Sequence, residues 1–168
     1  MKKEMTVKVF DSVLENSFLN FIREEINILA WSKHQSKKNL NNKKNPMFFA
    51  STQENLLSHQ FLFNYFCDKY NLSNKLLRAY VNCHPPYSGG QFHADDGDMT
   101  FIFYPDEKVK NKGGTEFEDG TKVDYKSNRL IIFDAKLFHK ASENLSNEMR
   151  HSIAWKTLII KEDRNENK

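Results

Sequence analysis

The chain of 168 residues has few cysteines, no long apolar run and no block of charge of one sign. Cys67 and Cys83 form no CxxC pair, which excludes a zinc knuckle and a disulfide framework, so we expect both to be free thiols. Apolar runs such as "LIIF" are far shorter than a membrane span, and the first residues contain no apolar signal-peptide core. These absences predict a cytoplasmic protein that does not enter a membrane.

The charges are also uninformative about a nucleic-acid partner. The 25 basic and 22 acidic residues are mixed along the chain and give a net charge of +3. Such a balance neither requires nor indicates nucleic acid as a partner, and nothing in the sequence predicts an oligomeric state. The length fits a single domain that spans residues 1–168.

Hydrophobic periodicity divides this domain into a helical part and a β part. Apolar residues at helical spacing predict amphipathic helices over 12–31 and 52–70, and the Lys- and Asn-rich segment 32–46 between them predicts an exposed loop. We therefore expect residues 1–75 to form a helical buttress. Short β-type runs separated by turn residues predict a β core over 76–161, followed by a flexible tail at 162–168. The predicted fold is mainly β with N-terminal helices: a jelly-roll or barrel core buttressed by helices.

The strand "RAYVNCH" has one polar face. Alternation places Arg78, Tyr80, Asn82 and His84 on one side of it, and the last long strand likewise has Arg150 and Ser152 on one side. Polar faces of an antiparallel sheet usually contact water, but they also line the interior of small barrels that enclose something polar. Alternation alone does not distinguish these interpretations.

The stretch "FHADDGD" is the first candidate site. His93 and Asp95 are two residues apart, so on a strand they point the same way and can bind one ion. Together with a distant histidine they would form the two-histidine, one-carboxylate triad of non-haem iron sites. The neighbouring Asp96 and Asp98 flank Gly97 and are typical of a turn. His-x-Asp alone is a weak motif, because it often arises by chance.

Further motifs follow it in order. After His93-x-Asp95 come "TFIFY", "GGTEF", "NRLIIFDAKLFHKAS" with His139, and "RHSIAW" with Arg150-x-Ser152. From residue 76 to 158 this succession resembles the 2-oxoglutarate- and iron(II)-dependent dioxygenases. The similarity is greatest to the prolyl 4-hydroxylase-like branch and its small bacterial or phage members. The resemblance implies the double-stranded β-helix fold of that family.

The resemblance also implies roles for individual residues. His93, Asp95 and His139 would bind Fe(II), and the cosubstrate 2-oxoglutarate would chelate the iron and leave a position for O₂. The guanidinium of Arg150 would bind the far carboxylate of the cosubstrate, which it matches bidentately. The other candidates for cosubstrate binding are Tyr104, Ser152, His84 and Asn82. A tyrosine usually stands near the position of His84 in this family, so its role stays open, and Tyr104 and Asn82 could instead be structural.

The implied reaction is hydroxylation of an unactivated C–H bond, with ascorbate as a reductant. The presence of Asp95 favours hydroxylation over halogenation, because related halogenases have a small residue there. A prolyl residue in a peptide or protein is the expected substrate, and a nucleobase or free small molecule is the alternative. From another class, the chain could be a non-catalytic jelly-roll binding module. The Lys-rich stretch 33–44 is a lid over the site, a docking strip for an acidic partner or, as we expect, a solvated loop.

Overall fold

The computed structural model describes residues 7–35, 47–51, 57–107 and 110–160. It contains two helices, α1 (Asn16–Asn27) and α2 (Leu57–Lys69), within these ranges. The strands are β1 (Lys8–Asp11), β2 (Ser32–Gln35), β3 (Met47–Ser51), β4 (Asn74–His84), β5 (Met99–Tyr104), β6 (Gly114–Phe117), β7 (Lys122–Asp124), β8 (Arg129–Asp134), β9 (His139–Ala141) and β10 (Arg150–Ile159). The structure thus confirms a mainly β architecture with N-terminal helices.

The strands form two antiparallel sheets. The large sheet has the order β1-β8-β5-β10-β4-β3-β2, and the small sheet has the order β7-β6-β9. Several neighbours in the large sheet are distant in sequence: β10, for example, pairs with β4 on one side and with β5 on the other. This pairing places the polar faces of β4 and β10 side by side, where they can form one surface.

Both helices contribute to a core on one face of the large sheet. Leu62, Phe63 and Phe66 of α2 are buried against the sheet, and the Phe66 ring meets the Trp155 indole edge-on at 5.9 Å between centroids. Helix α1 adds Leu19, Ile22 and Ile26, which recur at helical spacing along one stripe. The odd-numbered residues of β5 and β10 therefore face the helices, so their even-numbered neighbours face the other way.

A second core lies between the two sheets. Phe117 and Val123 from the small sheet pack with Ile131 and Phe133 from β8, and the rings of Phe117 and Phe133 meet edge-on at 5.0 Å. This core occupies one end of the space between the sheets. Polar side chains of β4, β5 and β10 line a cavity in the rest of it.

The N-terminal part differs from the prediction, because it is not only helical. Strand β1 pairs with β8, and β3 pairs with β4, so residues before 75 extend the large sheet at both edges. The predicted loop 32–46 begins as strand β2; the rest of it, 36–46, lies outside the described residues, as do 52–56 and the predicted tail. The edge strands β1 and β2 have only four residues each, and the partner of β1 is remote in sequence, so no local periodicity indicated them.

None of the helices in the described part of the chain has the length and hydrophobicity needed to span a membrane.

Candidate metal and cosubstrate site

The polar face predicted for β4 lines a cavity of about 630 Å³ between the sheets. Tyr80, Asn82 and His84 from β4 face it, as do Arg150 and Ser152 from β10. Of the two interpretations of this face, the interior one is therefore correct for these residues.

Three of the predicted site residues meet at one end of this cavity. One ligand atom each from His93, Asp95 and His139 lies within 4.8 Å of the others. His93 and His139 are brought together by a β-bridge, in which the backbone N–H of each donates to the carbonyl of the other at 3.0 and 2.9 Å. Asp95 is held beside them because its N–H donates to the Ala135 carbonyl at 2.8 Å.

The two imidazole rings are oriented by their Nδ1 atoms. Nδ1 of His93 lies 2.8 Å from the Gln91 carbonyl, and Nδ1 of His139 lies 2.8 Å from the Leu137 carbonyl. A carbonyl only accepts hydrogen bonds, so in the neutral rings Nδ1 carries the proton and Nε2 carries the lone pair. Nε2 of His93 and of His139 lie 3.5 and 3.3 Å from oxygens of Asp95. Two nitrogen lone pairs and a carboxylate thus converge, which is a donor set that suits iron(II).

The Asp95 carboxylate has two further partners. Thr100 Oγ1 donates to Oδ2 at 2.7 Å, and Lys156 Nζ donates to the same oxygen. Burial by itself would raise the pKa of Asp95, but the hydrogen bonds that it accepts and the charge of Lys156 outweigh this effect and leave that pKa well below its usual range. The carboxylate is therefore ionised and available to a cation.

Arg150 lies deeper in the cavity and is 2% exposed. Nη1 donates to the carbonyls of Lys112 and Ser142 at 2.5 and 2.8 Å, whereas Nη2 is buried and has no hydrogen-bond partner among the described residues. Gly113, at φ +76°, passes so close that a Cβ there would lie 2.6 Å from Nη1. A buried donor without a partner is costly, so Nη2 is suited to an anionic ligand in the cavity.

The remaining predicted residues line the same cavity. Tyr104 is buried, its hydroxyl lies 2.7 Å from Thr115 Oγ1, and burial raises its pKa. Burial, with the charge of Arg150 nearby, lowers the pKa of His84 to about 3, so its ring is neutral and can only hydrogen-bond. Asn82 and Ser152 also face the cavity, and Asn82 Oδ1 is a buried acceptor without a partner in the described part of the chain. The structure thus places seven of the eight predicted residues around one cavity, and the eighth, Asp95, contacts the lining residues His93 and His139.

A cluster of charged side chains adjoins Arg150. Lys112, whose carbonyl accepts from Arg150, is buried and pairs through Nζ with Asp106 at 3.1 Å and Glu148 at 3.6 Å. Asp106 also accepts from the backbone N–H and the Nδ1 of His151 at 2.7 and 2.8 Å. Burial would lower the pKa of His151, but the bond to Asp106 raises it to about 9.

The pair of His151 and Asp106 should make the free energy of unfolding depend on pH. Because the folded-state pKa of His151 is raised above its ordinary value of 6.5, its contribution is fully present below pH 6.5 and is lost as the pH rises through about 9. Urea unfolding of wild type and His151→Gln across this window should show a stability difference that shrinks by up to about 3 kcal/mol. A difference that does not change with pH would contradict the charged pair.

Sequence reasoning missed Lys156. It is 1% exposed and lines the cavity six residues after Arg150, hence on the same strand face. That spacing was the signal that could have identified it. Asp96 and Asp98 lie apart from the triad as predicted, since Asp96 pairs with Arg78 at 2.7 Å and Asp98 accepts from the Ile159 N–H at 2.9 Å.

No protein-family model matches the chain, and none of the curated proteins matches it. Solved structures do resemble it, at low sequence identity. A 2OG-Fe(II) oxygenase family oxidoreductase from Burkholderia pseudomallei matches at TM-score 0.69 and 11% identity, over 90% of this chain and 84% of that one. HygX from Streptomyces hygroscopicus, with nickel, 2-oxoglutarate and hygromycin B bound, matches at 0.65 and 12%, over 90% and 82%.

A prolyl hydroxylase from Trichoplax adhaerens, in complex with a hypoxia inducible factor peptide fragment, matches at TM-score 0.62 and 14% identity, over 89% of this chain and 82% of that one. The TM-scores establish a shared fold, whereas identities this low leave the chemistry to be argued from the site. The chain has the jelly-roll fold of the 2-oxoglutarate- and iron(II)-dependent oxygenases.

Proposed function

We propose that the protein is an Fe(II)- and 2-oxoglutarate-dependent dioxygenase that hydroxylates an unactivated C–H bond. One observation carries the proposal: His93 and His139, whose donors converge with that of Asp95, line the same cavity as Arg150, whose Nη2 has no partner among the described residues. A jelly-roll binding module would not need three metal donors and a buried guanidinium in one space. The arrangement matches a metal that is chelated by a dicarboxylate.

In this proposal His93, Asp95 and His139 bind the metal through three adjacent positions and leave the others open. Bound iron would supply the oxidative chemistry, in which O₂ converts 2-oxoglutarate to succinate and CO₂ and one oxygen atom enters the substrate C–H bond. Ascorbate would keep the iron reduced. The protein supplies two oriented imidazoles, an ionised carboxylate and an enclosed space.

The cosubstrate would lie between the metal and Arg150. Nη2 of Arg150 would bind the far carboxylate of the cosubstrate. The Tyr104 hydroxyl, which is hydrogen-bonded to Thr115, would donate to the same carboxylate. Ser152 and Asn82 would contribute neutral hydrogen bonds along the strand face. The neutral ring of His84 would also contribute only a hydrogen bond. Within the described lining around Arg150, its guanidinium is therefore the only charged group that would select the far carboxylate of the cosubstrate.

A prolyl residue in a peptide or protein is the substrate that we favour. The Trichoplax prolyl hydroxylase, which has this fold, was solved with a peptide bound. Phe92 and Phe138 precede the two metal-binding histidines directly, line the cavity and remain 39% and 48% exposed. Two exposed rings at the opening offer flat apolar surfaces against which a prolyl ring can pack.

Succinate formation tests the activity. Anaerobically purified protein given Fe(II), 2-oxoglutarate, ascorbate and air should release succinate, and His139→Ala should release none above background because one of three ligands is gone. Asp96→Ala is the control, because its exposed carboxylate pairs with Arg78 and lies apart from the triad. Absence of succinate and of metal binding in the wild type would refute the proposal.

Product mass tests the substrate. Proline-containing peptide libraries should gain the mass of one oxygen atom, and the gain should move with the proline when its position is changed. Alkylated oligonucleotides and free small molecules serve as the competing substrates. Loss of an alkyl group from an oligonucleotide, without change in any peptide, would replace the prolyl assignment with a nucleobase one.

A further inference from the structure

Lys156 is a buried cation that directly contacts a proposed metal ligand. Its side chain is 2% exposed, its ammonium donates to Oδ2 of Asp95, and it lies 5.5 Å from the centre of the Tyr80 ring. Asp95 is the only carboxylate that pairs with it in the described part of the chain. A lysine this deeply buried depends on its partner, because an unpaired buried charge is costly.

The same contact satisfies Asp95 when no metal is bound. Oδ2 accepts from Lys156 and from Thr100, and it also lies 3.3 Å from Nε2 of His139. The ammonium is thus beside the one anionic member of the proposed triad. The residues that line the cavity include two permanent cations, Arg150 and Lys156, and no carboxylate. Asp95 adjoins this lining through Lys156 and the two histidines.

We infer that Lys156 is a stand-in cation: it keeps the metal-free triad assembled and lowers the affinity of the site for its metal. The inference rests on the proposed function, because it requires that Asp95 bind a metal. A divalent ion entering the site must share the carboxylate with an ammonium that repels it. Without that ammonium, the carboxylate would be poorly satisfied in the free protein and would gain more from the metal.

Removal of Lys156 should change the stability of the metal-free protein and its metal affinity in opposite directions, which a purely structural role would not do. Removal of Lys156 should destabilise the metal-free protein, because Asp95 loses its partner, yet strengthen metal binding. A lysine that merely oriented Asp95 for the metal would give the reverse result for affinity, since its removal would misplace a ligand.

The test uses Co(II) alone as the probe, titrated without oxygen or cosubstrate at the same pH for every variant, and followed by its visible absorption. Lys156→Met should bind Co(II) at least tenfold more tightly than wild type, and its metal-free form should melt at a lower temperature. Lys156→Arg keeps the charge and should restore both values. The matched control is Lys136→Met, because Lys136 Nζ contacts the backbone carbonyl of Asp95 at 3.0 Å and not its carboxylate.

The outcomes separate this inference from the proposed function. If wild type binds Co(II) and Lys156→Met binds it equally well or more weakly, the inference is wrong, whereas the proposed metal site stands. If Lys156→Met does not fold, Lys156→Gln gives the same comparison with a neutral polar side chain. Failure of wild type and of both variants to bind Co(II) would overturn the inference and the proposed function together.

Discussion

Asp95→Ala should abolish succinate formation and weaken Co(II) binding by about a hundredfold or more, because the only anionic donor of the triad is lost. The same change should lower the stability of the metal-free protein by about 3 kcal/mol, since it leaves the Lys156 ammonium buried without its partner. Succinate release, Co(II) titration and urea unfolding measure the three effects.

Two further variants separate chemistry from folding. Asp96→Ala removes the neighbouring carboxylate, which is exposed and pairs with Arg78, and should leave activity close to wild type. In Asp95→Ala combined with Lys156→Met, neither charge is buried, so stability should recover while activity remains absent. Normal Co(II) affinity in Asp95→Ala would remove Asp95 from the triad.

Arg150→Ala should raise the KM for 2-oxoglutarate by about 30-fold or more, which corresponds to at least about 2 kcal/mol for a lost buried charge pair. Co(II) affinity should change little, since Arg150 contacts none of the triad residues. Stability should also fall, because the carbonyls of Lys112 and Ser142 lose their donor. Initial rates against cosubstrate concentration, with a separate Co(II) titration, measure these effects.

Arg129→Ala is the matched control, because Arg129 pairs with Asp11 on strand β1 and does not line the cavity. Its KM for 2-oxoglutarate should equal that of wild type. Arg150→Lys should be intermediate, since lysine retains the charge but not the bidentate fork. A variant at Arg150 with weakened Co(II) binding and an unchanged KM would assign that residue to the metal and not to the cosubstrate.

The candidate site could be predicted from the sequence to the extent that its chemistry depends on residue type and spacing. His93-x-Asp95, His139 and Arg150 follow one another in a recognisable order, and strand alternation correctly placed Asn82 and His84 on one face with Tyr80. Such an order is informative because a site for a metal and a dicarboxylate requires particular donor groups at particular positions. Roles for these residues in binding or catalysis are still predictions that the experiments above test.

Contacts set by tertiary structure could not be predicted in this way. Lys156 was overlooked because a lysine on a strand is usually solvated, and only the register of β10 against β4 and β5 encloses it. Strands β1 and β2 were missed for a similar reason: four residues carry no measurable period, and the hydrogen bonds that order β1 come from β8, far along the chain.

The bridge between His93 and His139 would make a metal bound at the proposed site a reporter of folding. These residues belong to segments far apart in sequence, and each segment reaches the other only after the sheets have paired and closed a long loop. An incompletely collapsed chain would hold the ligands separately and bind the ion weakly. In refolding experiments, the visible absorption of Co(II) should therefore grow with the slow closure of the sandwich and not with early helix formation.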